Sequence, residues 1–191
     1  IPVEVTAAEL ESIRVNPSTE TVAEGTTVQY TATGVFTDGS TTAINQDVSW
    51  SSADTGIARI EPNGLADTIG VGATVINATT QGITGSANLE VTDAIPVLLE
   101  ITPASSPPLL VGQSRQYRAQ LTYSDGETAV VTSQVVWRVE PSGIATATSV
   151  PGLIQAVAQG VGEVVARLDF TAFSKSNAVL EARVPLEVGS F

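Results

Sequence analysis

The strongest constraint on this chain is that its pattern occurs twice. Gly25 and Gly112, Tyr30 and Tyr117, Asp38-Gly39 and Asp125-Gly126, Trp50 and Trp137, and Gly56-Ile57-Ala58 and Gly143-Ile144-Ala145 are all 87 residues apart. Both tryptophans and two of the three tyrosines fall on that interval. Val15-Asn16-Pro17 matches Ile101-Thr102-Pro103 at 86, Gly64-Leu65 matches Gly152-Leu153 at 88, and Gly70/Gly72 match Gly160/Gly162 at 90. Near the end Leu89-Glu90-Val91 matches Leu186-Glu187-Val188 at 97, so the second copy carries a longer final hairpin between Asp169 and Pro185. The offset grows only between motifs, where insertions enter loops. The expected divisions are a lead-in over 1–9, a first domain over 10–93, a linker over 94–97 and a second domain over 98–191.

Each copy reads as antiparallel β-structure. Val28, Tyr30 and Ala32 alternate with Gln29, Thr31 and Thr33; Tyr117, Ala119 and Leu121 alternate with Gln116, Arg118, Gln120 and Thr122. That period of two belongs to a half-buried strand. Turn signals at Asn16-Pro17, Asp38-Gly39, Pro62-Asn63-Gly64 and Gln81-Gly82 separate the runs, and no segment holds a capped helical period. About seven short strands per copy imply a β-sandwich. The stiff, apolar junction around Pro96, poor in Gly and Ser, leads us to expect the two domains end to end.

Composition removes most chemistry. Among 191 residues there is no His, Cys or Met. This excludes a Ser-His-Asp triad, a cysteine nucleophile, a His/Cys zinc site, haem ligation by those residues and any disulfide. Twenty acids against eight bases give a net charge of −12, which disfavours nucleic acid as a partner because phosphate contacts need Lys and Arg. Residues 1–93 hold twelve acids and two bases, and residues 94–191 hold eight and six. No apolar run is long enough to span a bilayer as a helix, and no charged-then-apolar leader precedes the first strand. A soluble mature segment without membrane contact of its own is the expectation.

The order of motifs resembles a known family. Gly25-Thr26-Thr27-Val28-Gln29-Tyr30, Phe36-Thr37-Asp38-Gly39-Ser40-Thr41 and Val48-Ser49-Trp50-Ser51-Ser52 recur as Gly112-Gln113-Ser114-Arg115-Gln116-Tyr117, Tyr123-Ser124-Asp125-Gly126-Glu127-Thr128 and Val136-Trp137. From about Leu10 to Val188 this resembles two copies of the bacterial immunoglobulin-like group 2 domain found in invasin- and intimin-type adhesins. The second copy departs from the pattern after its tryptophan, with Arg138-Val139 where the first has Ser51-Ser52. The resemblance implies an all-β fold of two tandem immunoglobulin-like sandwiches. It also implies a non-catalytic spacer or adhesion segment of a cell-surface or secreted bacterial protein, with neighbouring repeats and a host-cell protein or glycan as partners.

Each marker residue has a structural role to fill. Trp50 and Trp137 are expected as the central packing plugs, and Tyr30 and Tyr117 point inward with their hydroxyls satisfied near a sheet edge. Asp38-Gly39 and Asp125-Gly126 suit tight hairpins, and the glycines at 70, 72, 160 and 162 suit bulges or turns rather than a phosphate cradle. No cofactor is expected. Were calcium to act, Asp93 at the junction is its first candidate ligand. Arg115, Arg118 and Arg138 are candidates for a basic patch. Two other readings are a carbohydrate-binding accessory module, for which Phe36, Tyr123, Phe170, Phe173 and Phe191 are the candidate platform aromatics, and a phage virion module.

Overall fold

In a computed structural model the chain is described over residues 7–170 and 179–190. It divides between Ile95 and Pro96 into two compact units. Pro96 and Val97, read from sequence as linker, already belong to the first strand of the second unit. All regular elements among the described residues are β-strands.

The first unit contains β1 (Leu10–Asn16), β2 (Thr19–Ala23), β3 (Thr27–Gln29), β4 (Thr31–Phe36), β5 (Thr41–Ala43), β6 (Ser49–Ser52), β7 (Ala58–Ile60), β8 (Leu65–Thr68), β9 (Gly72–Thr80) and β10 (Ile83–Thr92). They form a three-stranded sheet β1-β4-β5, a four-stranded sheet β2-β10-β9-β6 and a small sheet β3-β8-β7. The second unit contains β11 (Pro96–Thr102), β12 (Leu109–Leu110), β13 (Ser114–Gln116), β14 (Arg118–Tyr123), β15 (Thr128–Val130), β16 (Val136–Glu140), β17 (Ala145–Ala147), β18 (Leu153–Ala156), β19 (Gly160–Asp169) and β20 (Val179–Gly189). Its sheets are β11-β14-β15, β12-β20-β19-β16 and β13-β18-β17, so the wiring of the first unit is repeated.

More strands are seen than the seven expected per copy because long strands are interrupted where they change partner. Pro17 has no N–H for a ladder, and around it the chain leaves its antiparallel pairing with β4 and joins β10 in parallel as β2. Tyr30 separates β3 from β4 because its N–H donates to Gly64 O at 2.8 Å; Tyr117 does the same toward Gly152 O, also at 2.8 Å. The break in each case keeps one continuous segment serving two sheets.

Register also corrects one sequence match. Gly72 stands opposite Val91 and Gly160 opposite Val188. The equivalent glycines are therefore Gly72 and Gly160, 88 apart, rather than Gly72 and Gly162 at 90. A side chain at either would strike the same isoleucine position, 2.8 Å from Ile57 Cδ1 and 2.5 Å from Ile144 Cγ2. The remaining growth to 97 lies in the last hairpin, between Leu168 and Leu180, which pair as Thr80 and Ile83 do in the first unit.

Each unit has its own core. In the first, Ile13, Val15, Tyr30, Ala32, Ile76, Ala78, Leu89 and Val91 come from both larger sheets and are almost wholly enclosed. In the second, Leu99, Ile101, Tyr117, Leu121, Val164, Ala166 and Leu186 do the same, joined by Ile154 from the small sheet. Alternation along β10 sends Ala87, Leu89 and Val91 inward and Ser86, Asn88 and Glu90 outward, the pattern of a sandwich sheet with one wet face.

Candidate functional site

The tyrosines, not the tryptophans, occupy the centres of the cores. Tyr30 and Tyr117 have no exposed surface, and their hydroxyls are buried without a hydrogen-bond partner among the described residues. The expected partner near a sheet edge is not there. Burial, with Glu20 nearby, pushes the Tyr30 hydroxyl up to about 12. Trp50 and Trp137 are half-buried and pack against the rims of the same cores. Both sit on strands at the edge of the four-stranded sheets, where a ring as large as indole keeps one side in water. Their Nε1 groups donate to Asn45 O at 3.3 Å and Thr132 O at 2.9 Å, tying each strand to the loop before it.

The Asp-Gly pairs make hairpin turns. Asp38 Oδ1 accepts from Ser40 N and Asp125 Oδ1 from Glu127 N, both at 2.9 Å. Gly39 and Gly126 take φ of 79° and 88°, the left-handed residue of a three-residue hairpin loop. Hydrogen bonds from the Ser40 side chain and backbone hold the Asp38 carboxyl below the usual carboxylate range. Asp93 is exposed. Among the described residues no group of three or more Asp or Glu side chains is placed to hold a metal ion, around Asp93 or elsewhere.

The three arginines of the candidate basic patch fall on three different sheets, Arg115 on β13, Arg118 on β14 and Arg138 on β16. Arg115 Nη1 bonds Ser106 Oγ, and Arg138 is ion-paired twice; the patch is not assembled. Of the platform aromatics, Phe36 and Tyr123 are half-buried and Phe170 is buried. Phe173 and Phe191 lie outside the described residues.

What distinguishes the two units is the wet face of the four-stranded sheet. In the first unit the register places Ser49, Thr79 and Thr84 in one row and Ser51, Asn77 and Ser86 in the next. Thr79 Oγ1 and Thr84 Oγ1 are 2.9 Å apart, and Ser86 Oγ donates to Asn77 Oδ1 at 2.7 Å. Further along, Thr19, Glu20, Ala73, Val75, Asn88 and Glu90 line a depression of about 300 Å³.

In the second unit the corresponding rows are Val136–Arg167–Glu181 and Arg138–Val165–Arg183, four charged residues and two valines. Arg138 bonds Glu140 and Glu181 at 2.7 and 2.8 Å. Arg183 bonds Glu140, Glu163 and Glu181 at 2.7, 3.0 and 2.6 Å. These side chains lie over Val165, which is fully buried although it sits in the outward register between Arg138 and Arg183. The bonds from Arg183, then Arg138, hold the Glu140 carboxyl below its ordinary range, and the three carboxylates raise Arg183 above its own. This network was missed from sequence. Its signal was present as alternating charge at Arg138/Glu140 and Glu181/Arg183, legible only once the strands are paired.

Residues 9–91 match the family model described as Bacterial Ig-like domain (group 2). The first unit is a bacterial Ig-like domain of group 2. The second unit repeats its strand order and register outside the final hairpin. The chain is also similar to Ice-binding protein 1 of Shewanella frigidimarina (strain NCIMB 400), with 36% identity over 169 residues. That match takes in 88% of this chain and 18% of the relative, so the chain spans under a fifth of that protein's length. Among solved structures it is similar to S-layer protein SbsC domains 4 and 5, at 15% identity and TM-score 0.41, covering 95% of this chain and 99% of that one. It is likewise similar to the C-terminal 282-residue fragment of intimin in complex with the translocated intimin receptor's intimin-binding domain. There the identity is 16% and the TM-score 0.34, covering 94% of this chain and 64% of that one.

Within the group 2 fold the residues that recur between copies are those the turns and cores require, namely Tyr, Trp, Asp-Gly and the glycines facing Tyr30 O and Tyr117 O. The wet faces did not keep a common chemistry. No helix among the described residues is long and apolar enough to cross a membrane.

Proposed function

We propose that this pair of group 2 Ig-like domains is a non-catalytic structural segment of a longer bacterial surface or secreted protein, holding neighbouring parts of that protein in place. The observation that carries this is the pairing of a family match over the first unit with two separate, self-contained cores. Chemistry is concentrated in turns and packing, and the arginine and glutamate side chains of the second unit's sheet are paired with one another. A surface address is supported by the likeness to a long protein of which this chain spans a small part. The absence of Cys suits export, because neither unit depends on oxidative folding.

The test is an exchange in the full-length parent on its own cells. Replacing residues 10–190 by an unrelated two-domain β-sandwich of similar length should leave the parent exposed to added protease and functional. Loss of its activity with exposure intact would overturn a purely structural role. Failure of the native parent to be cut by protease on intact cells would overturn the surface address.

A further inference from the structure

The wet face of the first unit's four-stranded sheet is chemically unlike the rest of that unit. Residues 1–93 carry twelve acids and two bases, yet the rows Ser49–Thr79–Thr84 and Ser51–Asn77–Ser86 contain no charge. Solvated sheet faces ordinarily carry mixed charges that keep them soluble and unpaired. The second unit carries charge there, with Arg167 and Glu181 in one equivalent row and Arg138 and Arg183 in the other. The first unit instead presents hydroxyls and amides whose orientation is set by neighbours. With Asn77 Oδ1 taken by Ser86, the Asn77 amide hydrogens and the Ser86 oxygen lone pairs remain as an adjacent donor and acceptor. Thr79 and Thr84 share one hydrogen bond and keep the rest of their capacity. Rows repeat at about 4.8 Å across strands and about 6.7 Å along them.

The rows lead into the depression of about 300 Å³, where the first unit's face gains a carboxylate, Glu90, beside Asn88 and Thr19; Glu20, paired with the buried Leu89, belongs to the opposite face of the sheet. In the second unit the register puts the larger, apolar Val161 and Pro185 where Ala73 and Asn88 stand.

We propose that this face binds a neutral, extended polysaccharide, one sugar seated in the depression and following sugars lying along the hydroxyl–amide rows. The complementarity is of charge and of hydrogen bonding. A neutral polyol is not repelled by the unit's acidic surroundings as an anionic polymer would be. Its adjacent hydroxyls meet the donor–acceptor pair of Asn77 and Ser86, and the Glu90 carboxylate accepts from a hydroxyl in the depression. Exchanging water for sugar hydroxyls yields little per contact, and no aromatic platform is exposed among the described residues. The interaction is therefore weak per site, about millimolar, and is strengthened by repetition along the polymer. This goes beyond the structural role proposed above, which is decided by the exchange experiment whatever the outcome here.

The test is native affinity electrophoresis of the two-unit protein in gels holding hydroxyethylcellulose, laminarin, dextran or a galactomannan, with alginate as the anionic comparison. At least one neutral polymer should retard the protein, equally at low and high salt, and alginate should not. Thr84→Glu with Asn88→Glu, both at exposed positions, should weaken binding roughly tenfold or more; Arg183→Gln on the second unit should leave it unchanged. Asn77→Ala with Ser86→Ala supplies a second, uncharged disruption, and thermal unfolding confirms that each variant is folded. In ¹⁵N-labelled protein, titration with an oligosaccharide of the retarding polymer should shift amides of residues 73–79 and 84–90. The proposal is overturned by no retardation with any of the four neutral polymers, by retardation in alginate alone, by undiminished binding in both folded face variants, or by shifts confined to other surfaces.

Discussion

At the scale of single residues, Tyr30 and Tyr117 show how a marker can be visible in sequence while its energetics are not. Each ring fills the centre of a core, but each buried hydroxyl lacks a partner. Leaving a polar group unpaired in an apolar interior is unfavourable, and replacing it by an apolar group of the same shape removes that cost. Tyr30→Phe and Tyr117→Phe should therefore leave stability unchanged or raise it by up to about 1 kcal/mol, measured by urea unfolding; a loss above that would mean the hydroxyls are satisfied. The sign at high pH follows from the raised Tyr30 value. Because the folded group ionises near 12 rather than 10, the unfolded chain loses its proton first. Stability is then intact below about pH 10 and falls toward pH 12. Tyr30→Phe should flatten that alkaline limb.

Gly152 makes the complementary point. Its φ is 77°, and a Cβ there would strike Tyr117 O. Gly152→Ala should cost about 1–3 kcal/mol from backbone strain alone, with the contact adding to it. A neutral result would show that the loop shifts freely.

At the scale of elements, β16, β19 and β20 assemble a charged lattice that copy one lacks. The pairs are exposed and screened by solvent, so each contributes little by itself, but Arg138 and Arg183 also roof Val165. Arg183→Ala should destabilise the second unit, leave the first unit's unfolding untouched and lessen the second unit's sensitivity to salt. Equal effects on both units would contradict the assignment. Glu140 has its folded value lowered. Its contribution is therefore present above the ordinary carboxylate value and lost as pH falls through the folded one. In acid the second unit should lose stability over that range, and Glu140→Gln should remove part of the dependence.

At the scale of the whole molecule, the two cores share no residue, and the chain divides between Ile95 and Pro96. Residues 1–95 and 96–191 expressed separately should each fold and unfold cooperatively. Each unit holds one tryptophan at its core rim, so Trp50→Phe and Trp137→Phe report the two transitions one at a time by fluorescence. Failure of either half to fold alone would mean that stability is shared.

The sequence by itself determined the duplication, the β class, the turns at Asp38-Gly39 and Asp125-Gly126 and the inward residues of the strands around Tyr30 and Tyr117. These rest on local causes: backbone conformations that glycine permits, side chains that cap their own turn, and alternation with a period of two. Tertiary structure decided the rest. Which ring takes the centre depends on where a strand breaks to change sheets, and so Tyr30 and Tyr117 displaced Trp50 and Trp137. Whether Arg138 is a free cation depends on β16 lying beside β19, with β20 next in the sheet, a pairing between residues more than forty positions apart. The neutral rows of the first unit exist only when Ser49, Thr79 and Thr84 are brought side by side. Properties of a surface belong to neighbours in space, and only the register of the sheet says which residues those are.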